Sequence, residues 1–261
     1  HYSYYYDEET KNIVYNKPNL WIHVKNEINA RDWINFGSRN SDDVNKPYIR
    51  VCIESIVKYN QDDFNIFIIN DESFHKLIDE WNIVIDNVPN PLKESVRQVG
   101  IAMILYHHGG LNLPRSFLCM KKLKLLYKEG IKNNKMFCVE NINRSIDQFK
   151  NEYLPDVKIL GCPKYNDEMK KYYTYMNDLI GTDNTDEINI MGLFNKWLKN
   201  ESEKYNINVL NGRLIGIKDK YNKYICLEDL MGESIINFDK VYSGIYVNED
   251  ELEKRIKYKW F

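Results

Sequence analysis

One segment in the middle of the chain constrains the fold more than any other. Its apolar residues recur at steps of four, three, four and three, which is the spacing of one face of an α-helix. The members of this stripe are Leu92, Val96, Val99, Met103 and Tyr106. Gly109 follows at a typical helix-ending position, and residues 111–113 come next as a short apolar run broken by one asparagine. A helix that turns directly into a short strand is typical of α/β domains.

The segments before this helix alternate in the same way. Apolar runs at residues 19–24 and 64–69 predict strands, and residues 47–59 have helical spacing that begins with a proline. The second run is almost continuously apolar, as expected for a strand covered on both faces. We therefore predict an α/β fold with a mainly parallel central sheet flanked by helices. It forms one domain over residues 18–261, after a polar arm or linker at residues 1–17.

Patterns in the rest of the chain are weaker, and they show no internal repeat and no clear domain boundary. Helices are predicted at residues 72–81, 166–180, 186–205 and 249–260, strands at 135–139, 157–160 and 207–210, and a long loop at 29–45.

The charge and hydropathy of the chain bear on its partners. The formal net charge is −2 and the lysines are scattered, whereas binding to nucleic acid or to anionic membranes is favoured by a basic excess. We therefore expect no nucleic-acid partner. No run of 18 apolar residues occurs, so membrane attachment is expected only through an anchor that precedes His1 in a longer form of the protein.

The cysteines favour a reducing compartment such as the cytoplasm. None of the five has CxxC spacing, and none belongs to a cluster with zinc-ligand spacing. They are Cys52, Cys119, Cys138, Cys162 and Cys226. An odd number in apolar surroundings favours free buried thiols, although an oxidising lumen with one unpaired thiol stays open. The sequence also lacks the GxGxxG, P-loop, GxSxG and HExxH motifs.

The central segment carries a further pattern. An acidic residue and an arginine three positions later open the helix, which ends in Leu-Tyr-x-x-Gly-Gly before the apolar run. The residues concerned are Glu94, Arg97, Leu105, Tyr106, Gly109, Gly110, Leu111 and Leu113. This pattern resembles the DXD-type sugar transferases of capsular polysaccharide synthesis and the mannosyltransferases, which have the GT-A (nucleotide-diphospho-sugar transferase) fold. The resemblance covers roughly residues 18–125 and extends to uncharacterised proteins of large DNA viruses, for which a viral factory is a further candidate location.

The resemblance implies a UDP- or GDP-sugar donor and a glycan or glycoprotein acceptor, but the chain departs from the motif where the family binds its metal. Asn112 stands where an aromatic residue is usual, and Pro114 and Ser116 stand in place of the two aspartates. Mn²⁺ and Mg²⁺ need charged oxygen ligands, so a metal site here would be weak. Three alternatives stay open: catalysis is lost, a carboxylate elsewhere holds the metal, or Arg115 replaces it.

Two arginines are the predicted catalytic cations. Arg115 stands in the middle of the altered motif, and a guanidinium binds phosphate oxygens bidentately without a metal. The alternative is that Arg115 is a solvated loop residue with no role in phosphate binding. In the resembling family, the arginine at the position of Arg97 helps to hold the sugar or the diphosphate, and the acidic residue at the position of Glu94 orients it. The alternative is a surface ion pair between residues three apart on a helix.

Further donor-site residues are predicted at strand ends and on the first strand. Asp71 follows an apolar strand, where open α/β sheets place ligands, and either binds the base or ribose or caps the next helix. Trp21 either stacks on uracil or guanine or belongs to the core, and Asn112 and Ser116 line the donor cleft. Weaker candidates are Glu140, Asn141, Asp186 and Glu187 for substrate contacts, and Lys218 and Lys220 for the diphosphate, with a charged hairpin tip as the alternative for these lysines.

The sequence therefore predicts glycosyl transfer from a nucleoside-diphosphate sugar to a glycan or protein acceptor, with transfer independent of metal as one of the open alternatives. The alternative is a catalytically inactive pseudo-glycosyltransferase that serves as a glycan-binding, structural or assembly protein. These predictions come from the resemblance and from individual site residues, because a fold by itself does not establish a function.

Overall fold

The computed structural model describes residues 17–25, 46–142, 152–182, 190–233, 235–249 and 251–252. Most of the predicted arm, the predicted loop at residues 29–45, and the candidates Asp186 and Glu187 lie outside these ranges. The helices are α1 (Pro47–Asn60), α2 (Ser73–Leu77), α3 (Asn90–His108), α4 (Lys124–Gly130), α5 (Asp167–Thr182), α6 (Ile190–Glu203) and α7 (Leu227–Met231). The strands are β1 (Asn19–His23), β2 (Asn65–Ile69), β3 (Gly110–Pro114), β4 (Phe117–Cys119), β5 (Phe137–Ile142), β6 (Tyr153–Cys162), β7 (Asn208–Leu210) and β8 (Gly244–Tyr246).

The central sheet of the described part has the strand order β2-β1-β3-β6-β5-β7. Strand β1 pairs in parallel with β2 and β3, and β5 pairs in parallel with β7. Strand β6 runs antiparallel between β3 and β5. The predicted α/β fold with a mainly parallel sheet is therefore confirmed, with β6 as the exception. Strands β1, β2, β3, β5 and β7 all end at the same edge of the sheet, which we call the carboxyl edge.

Helices cover both faces of the sheet and bury its apolar residues. On one face Trp21 belongs to a core formed with α3, α5 and α6, in which Tyr172 and Phe194 are fully buried. On the other face Leu20 and Ile22 pack with residues of α1 such as Ile53. Successive residues of β1 thus face opposite cores, as the pleat of a strand requires. Coverage on both sides explains why β1 and β2 lack polar alternation.

The glycine pair makes the tight passage from α3 into β3 possible. Helix α3 ends at His108, and Gly109 caps it as predicted; the backbone φ is +67° at Gly109 and +113° at Gly110. A Cβ atom on Gly110 would lie 2.2 Å from the backbone oxygen of Asn19 in the neighbouring strand. Both the backbone conformation and the space therefore require glycine at position 110.

Two sequence predictions need correction in this part of the chain. The helix predicted at residues 72–81 ends at Leu77, because Ile78 takes an extended conformation and is buried in the core together with Trp81. The strands β4 and β8, which pair antiparallel, were not predicted because three residues are too few to show a period. In addition, no helix in the described ranges is long and apolar enough to cross a bilayer.

Candidate functional site

Charged side chains concentrate where the parallel strands end, which is where open α/β sheets bind their ligands. At the end of β1, His23 lies within hydrogen-bond distance of Asp71, which follows β2 (Nε2 to Oδ1, 2.8 Å). Asp71 also accepts hydrogen bonds from Arg97 of α3, with distances of 2.9 Å from Nε and 2.7 Å from Nη2. The three side chains are 8–13% exposed. The structure thus joins two predicted site residues, Asp71 and Arg97, through a bidentate ion pair.

This geometry corrects the alternative role of Asp71 as a helix cap. The backbone N–H of Ser73 donates to the side chain of Asn70, not to that of Asp71. Arg97 is not a solvated surface residue either, since it is largely buried and its carboxylate partner lies 26 residues away in the chain. The predicted partner Glu94 is farther, with 3.6 Å between its Oε2 and Nη1 of Arg97. Asp71 therefore orients Arg97 more directly than Glu94 does.

Burial and pairing shift the pKa values in this cluster. Burial acts to raise the pKa of the Asp71 carboxyl, but the hydrogen bonds from His23 and Arg97 outweigh it and hold that pKa well below its usual range. For His23 burial is the largest effect and lowers its pKa. The hydrogen bond to Asp71 and its negative charge act to raise the pKa of His23, but they do not outweigh burial, and the positive charge of Arg97 adds to the lowering. His23 is therefore neutral at pH 7.

Glu94 lies between this cluster and two lysines, Lys25 and Lys158, which we call the rim. Its Oε2 lies 2.7 Å from Nζ of Lys25, which follows β1, and both side chains are about one-third exposed. Burial acts to raise the pKa of Glu94, but the charges of Lys158 and Lys25 outweigh it and lower this pKa to about 2. Both lysines could meet an anionic ligand at the rim.

We expect the stability of the protein to fall on acidification below about pH 6.5, the usual pKa of histidine. The folded state keeps His23 neutral, so its contribution is fully present above the unfolded-state pKa and is lost as the pH falls towards the lower, folded-state pKa. Urea denaturation between pH 7 and 5 should show a shallower decline for His23→Gln than for the parent. The control is His75→Gln, whose ring nitrogen contacts a backbone oxygen instead. Equal slopes for parent and His23→Gln would contradict this assignment.

Arg115 lies in the turn between β3 and β4 and is buried, with 3% of its side chain exposed. Glu249, which follows β8, accepts hydrogen bonds from its Nε at 3.1 Å and from its Nη2 at 2.8 Å. The expectation of a solvated loop residue is therefore wrong. Arg115 stands at the carboxyl edge as a buried guanidinium in bidentate contact with a carboxylate that is 20% exposed.

The residues around Arg115 do not fit a divalent metal. Pro114 offers no side-chain oxygen, and Ser116 offers a neutral hydroxyl that is buried and makes no hydrogen bond. The nearby carboxylate, Glu249, is engaged by the guanidinium, whose positive charge would repel a second cation. Across the described ranges, no three His, Cys, Asp or Glu side chains come together as metal ligands.

Three of the predicted donor contacts lie inside the fold, and one of them, Ser116, is only 1% exposed. Trp21 is 2% exposed, stacks on Phe67 with 4.5 Å between ring centroids, and donates from Nε1 to the backbone oxygen of Gly109. It is a core residue with a covered ring, so the prediction that it stacks on a nucleotide base is wrong. Asn112 is 3% exposed and donates to the backbone oxygen of Lys158, while its Oδ1 makes no hydrogen bond. It lies on the same strand as Pro114 but below the edge.

A second charged cluster lies at the end of β5. Glu140 accepts hydrogen bonds at Oε1 from the backbone N–H of Gly212 and lies 2.5 Å from Nζ of Lys218. Lys218 is 5% exposed, and its ammonium group lies 4.1 Å from the ring centre of Tyr153. The alternative that Lys218 lies at a charged hairpin tip is therefore wrong, because this lysine is buried and paired. Two weak candidates from distant parts of the sequence thus meet.

A small cleft opens beside this second cluster. Its lining includes Asn141 at the end of β5, Tyr224, Tyr246, Asn248 and Glu251. Aromatic rings, amides and a carboxylate are groups that can pack against and hydrogen-bond a polar ligand such as a sugar. The cleft is bounded by the segment that follows β8, which is also the segment that carries Glu249.

Sequence reasoning missed His23, Lys25 and Glu249. His23 is the last residue of β1 and Lys25 follows that strand, so the strand-end argument applied to Asp71 would have identified them. Glu249 gave no comparable signal, because 134 residues separate it from Arg115 and its own surroundings resemble a charged surface helix.

Comparisons with known proteins add distant structural neighbours. No protein-family model matches the chain, and no curated protein matches its sequence. The chain is similar to the PaToxG glycosyltransferase, with 13% identity, 71% of this chain and 69% of that chain covered, and a TM-score of 0.39. It is also similar to the galactosyltransferase LgtC in complex with donor and acceptor sugar analogues, with 13% identity, coverage of 75% and 74%, and a TM-score of 0.37. A third neighbour, 4-diphosphocytidyl-2C-methyl-D-erythritol synthase from Anaerococcus prevotii, has 9% identity, coverage of 93% and 96%, and a TM-score of 0.34. At TM-scores below 0.5 these similarities are too distant to assign an activity.

Proposed function

We propose that this protein is a glycosyltransferase-like protein that binds a nucleoside-diphosphate sugar at the carboxyl edge of β1, β2 and β3. The observation that carries the proposal is the position of Arg115. It is a buried guanidinium in the turn after β3, in the middle of the segment where the resembling sugar transferases have their metal-binding aspartates. Arg97 of α3, which is paired with Asp71 after β2, supplies a second guanidinium at the same edge.

The proposed chemistry needs a positive charge where the donor breaks. When the oxygen of an acceptor hydroxyl forms a bond to the anomeric carbon, the bond from that carbon to the diphosphate breaks and its electron pair stays on the phosphate oxygen. The hydroxyl proton is released to the departing diphosphate or to solvent. Two N–H groups of a guanidinium match two phosphate oxygens, and a water-poor site strengthens the contact. Arg115 would meet this developing charge, and Lys25 and Lys158 would attract the diphosphate at the rim. The acceptor is proposed to be a glycan or glycoprotein, with the cleft beside Asn141 as a candidate place for its sugar.

A second candidate, the pseudo-glycosyltransferase, is favoured by a specific feature of the same edge. Both guanidiniums are already paired with carboxylates, Arg97 with Asp71 and Arg115 with Glu249. Such pairs hold a cleft together without any ligand, so a protein that has lost turnover could keep them for structure. Binding of UDP-sugars without hydrolysis or transfer would identify this case.

We expect the protein to bind UDP or GDP in EDTA, as measured by isothermal titration calorimetry, and UDP-sugars to bind at the same site. The Arg115→Met/Glu249→Met double variant should bind at least about tenfold more weakly, because a charge-assisted bidentate contact is worth about 1.5–3 kcal/mol. Removing both charges together avoids leaving either one buried without its partner. Arg50→Ala, at an exposed ion pair in α1, is the matched control. A strict requirement for Mn²⁺, or equal affinity of the double variant, would contradict the proposal.

A further inference from the structure

The pair of Arg115 and Glu249 is asymmetric. Arg115 is 3% exposed and sits in the short turn between β3 and β4, whereas 20% of the Glu249 side chain is exposed. The guanidinium is therefore held in the fold, and the carboxylate approaches it from the solvent side. Arg115 is thus a fixed, buried cation, and the carboxylate of Glu249 that pairs with it is open to solvent on its other side.

The segment that carries Glu249 reaches Arg115 over a short distance from a fixed point. Pairing of β8 with β4 positions the chain up to Tyr246. Beyond it, the backbone N–H of Val247 donates to the backbone oxygen of Ser116 over a long 3.4 Å, and Asn248 caps the helical turn that begins at Glu249. The negative charge of Glu249 is also felt in α1, where it adds to the effect of burial in raising the pKa of Cys52 to about 12. Glu249 is thus placed over the turn by a few residues at the end of a strand.

We propose that Glu249 occupies the phosphate position of the donor site and is exchanged for the diphosphate when the donor binds; this inference rests on the proposed function. A carboxylate and a phosphate present a similar pair of acceptor oxygens to a guanidinium. In the ligand-free protein the carboxylate keeps the buried charge of Arg115 compensated, which an empty site would not. The diphosphate then binds by replacing one anion with another, and Glu249 moves with its segment into solvent. A weak anion is rejected because it must outcompete a tethered carboxylate.

Glu249→Gln tests the exchange. The amide keeps the shape of the side chain but removes the charge that competes for Arg115, so affinity for UDP and for inorganic pyrophosphate should rise at least about tenfold. Pyrophosphate is included because it carries the phosphate charges without a base or a sugar. Affinities are measured by calorimetry in EDTA, with unfolding temperatures recorded for each variant. Glu203→Gln, an exposed acidic residue of α6, is the control and should bind like the parent.

The possible outcomes separate the exchange from the proposed function. If the parent binds UDP and Glu249→Gln binds no more tightly, the exchange is wrong and the proposed function stands. If neither protein binds UDP or pyrophosphate while both remain folded, both proposals are wrong. If Glu249→Gln fails to fold, Glu249→Asp replaces it: drawing the charge back by one methylene should raise affinity about threefold, and no gain would overturn the exchange.

Discussion

Replacing Gly110 by alanine is expected to cost roughly 3–5 kcal/mol of unfolding free energy, the largest loss for a single methyl group that we foresee in this protein. The added Cβ would meet the backbone oxygen of Asn19 at 2.2 Å, and φ of +113° disfavours any residue with a side chain. The neighbouring atom is backbone in a paired strand, so the strain is relieved only by separating β1 from β3. Urea denaturation followed by circular dichroism measures the loss.

Gly181 provides the control for this experiment. It lies near the end of α5, and a Cβ there would meet no atom within 4 Å. Alanine loses less conformational freedom than glycine on entering a helix, so Gly181→Ala should raise stability by up to about 1 kcal/mol. Opposite signs for the two substitutions would separate the geometric requirement at position 110 from a general effect of removing glycine. A loss below about 1 kcal/mol for Gly110→Ala would contradict the close approach of the two strands.

The second large effect is expected for Asp71→Asn, with a loss of about 2–4 kcal/mol at pH 7. The amide keeps the size of the side chain but leaves the guanidinium of Arg97, which is 13% exposed, without the charge that balances it. It also offers His23 a different hydrogen-bonding group. The value lies somewhat below that for a fully buried pair because both side chains retain some contact with water.

Two further variants test whether this loss comes from the unbalanced charge of Arg97. Glu54→Gln removes the partner of Arg50 in an exposed i, i+4 pair and should cost less than about 0.5 kcal/mol. Adding Arg97→Met to Asp71→Asn should recover part of the loss, because the unbalanced charge is then removed as well. If Asp71→Asn costs no more than Glu54→Gln, the carboxylate is not what holds Arg97 in place.

The elements that the sequence predicted well are those with local causes. Helix α3 shows its period over several turns and stops at a glycine, and its limits of Asn90 and His108 agree with the pattern. Strands β1 and β2 are apolar because both faces of the sheet are covered. The helix predicted at residues 72–81 failed because burial of Ile78 and Trp81 in the core outweighed the local preference.

The candidate site could be predicted in part, for the same reason. The rule that ligands bind beyond the ends of parallel strands pointed to Asp71, and the family pattern pointed to Arg97 and Arg115. The sequence did not indicate that the first two form one ion pair, because 26 residues separate them. Nor did it indicate that Trp21 is covered by Phe67, since an aromatic residue in a strand fits a core and a binding site equally well.

What the sequence alone determined is where the longer helices and the buried strands form and which strand ends carry charge, because periodicity, glycine and residue type act over a few neighbouring residues. The tertiary structure decided how those charges are balanced: Arg97 by Asp71, Arg115 by Glu249 and Lys218 by Glu140. A buried charge needs a counter-charge within a few ångströms, but any part of the folded chain can supply it. The folded arrangement therefore determines whether the arginines at the carboxyl edge meet a ligand, a neighbouring carboxylate, or each in turn.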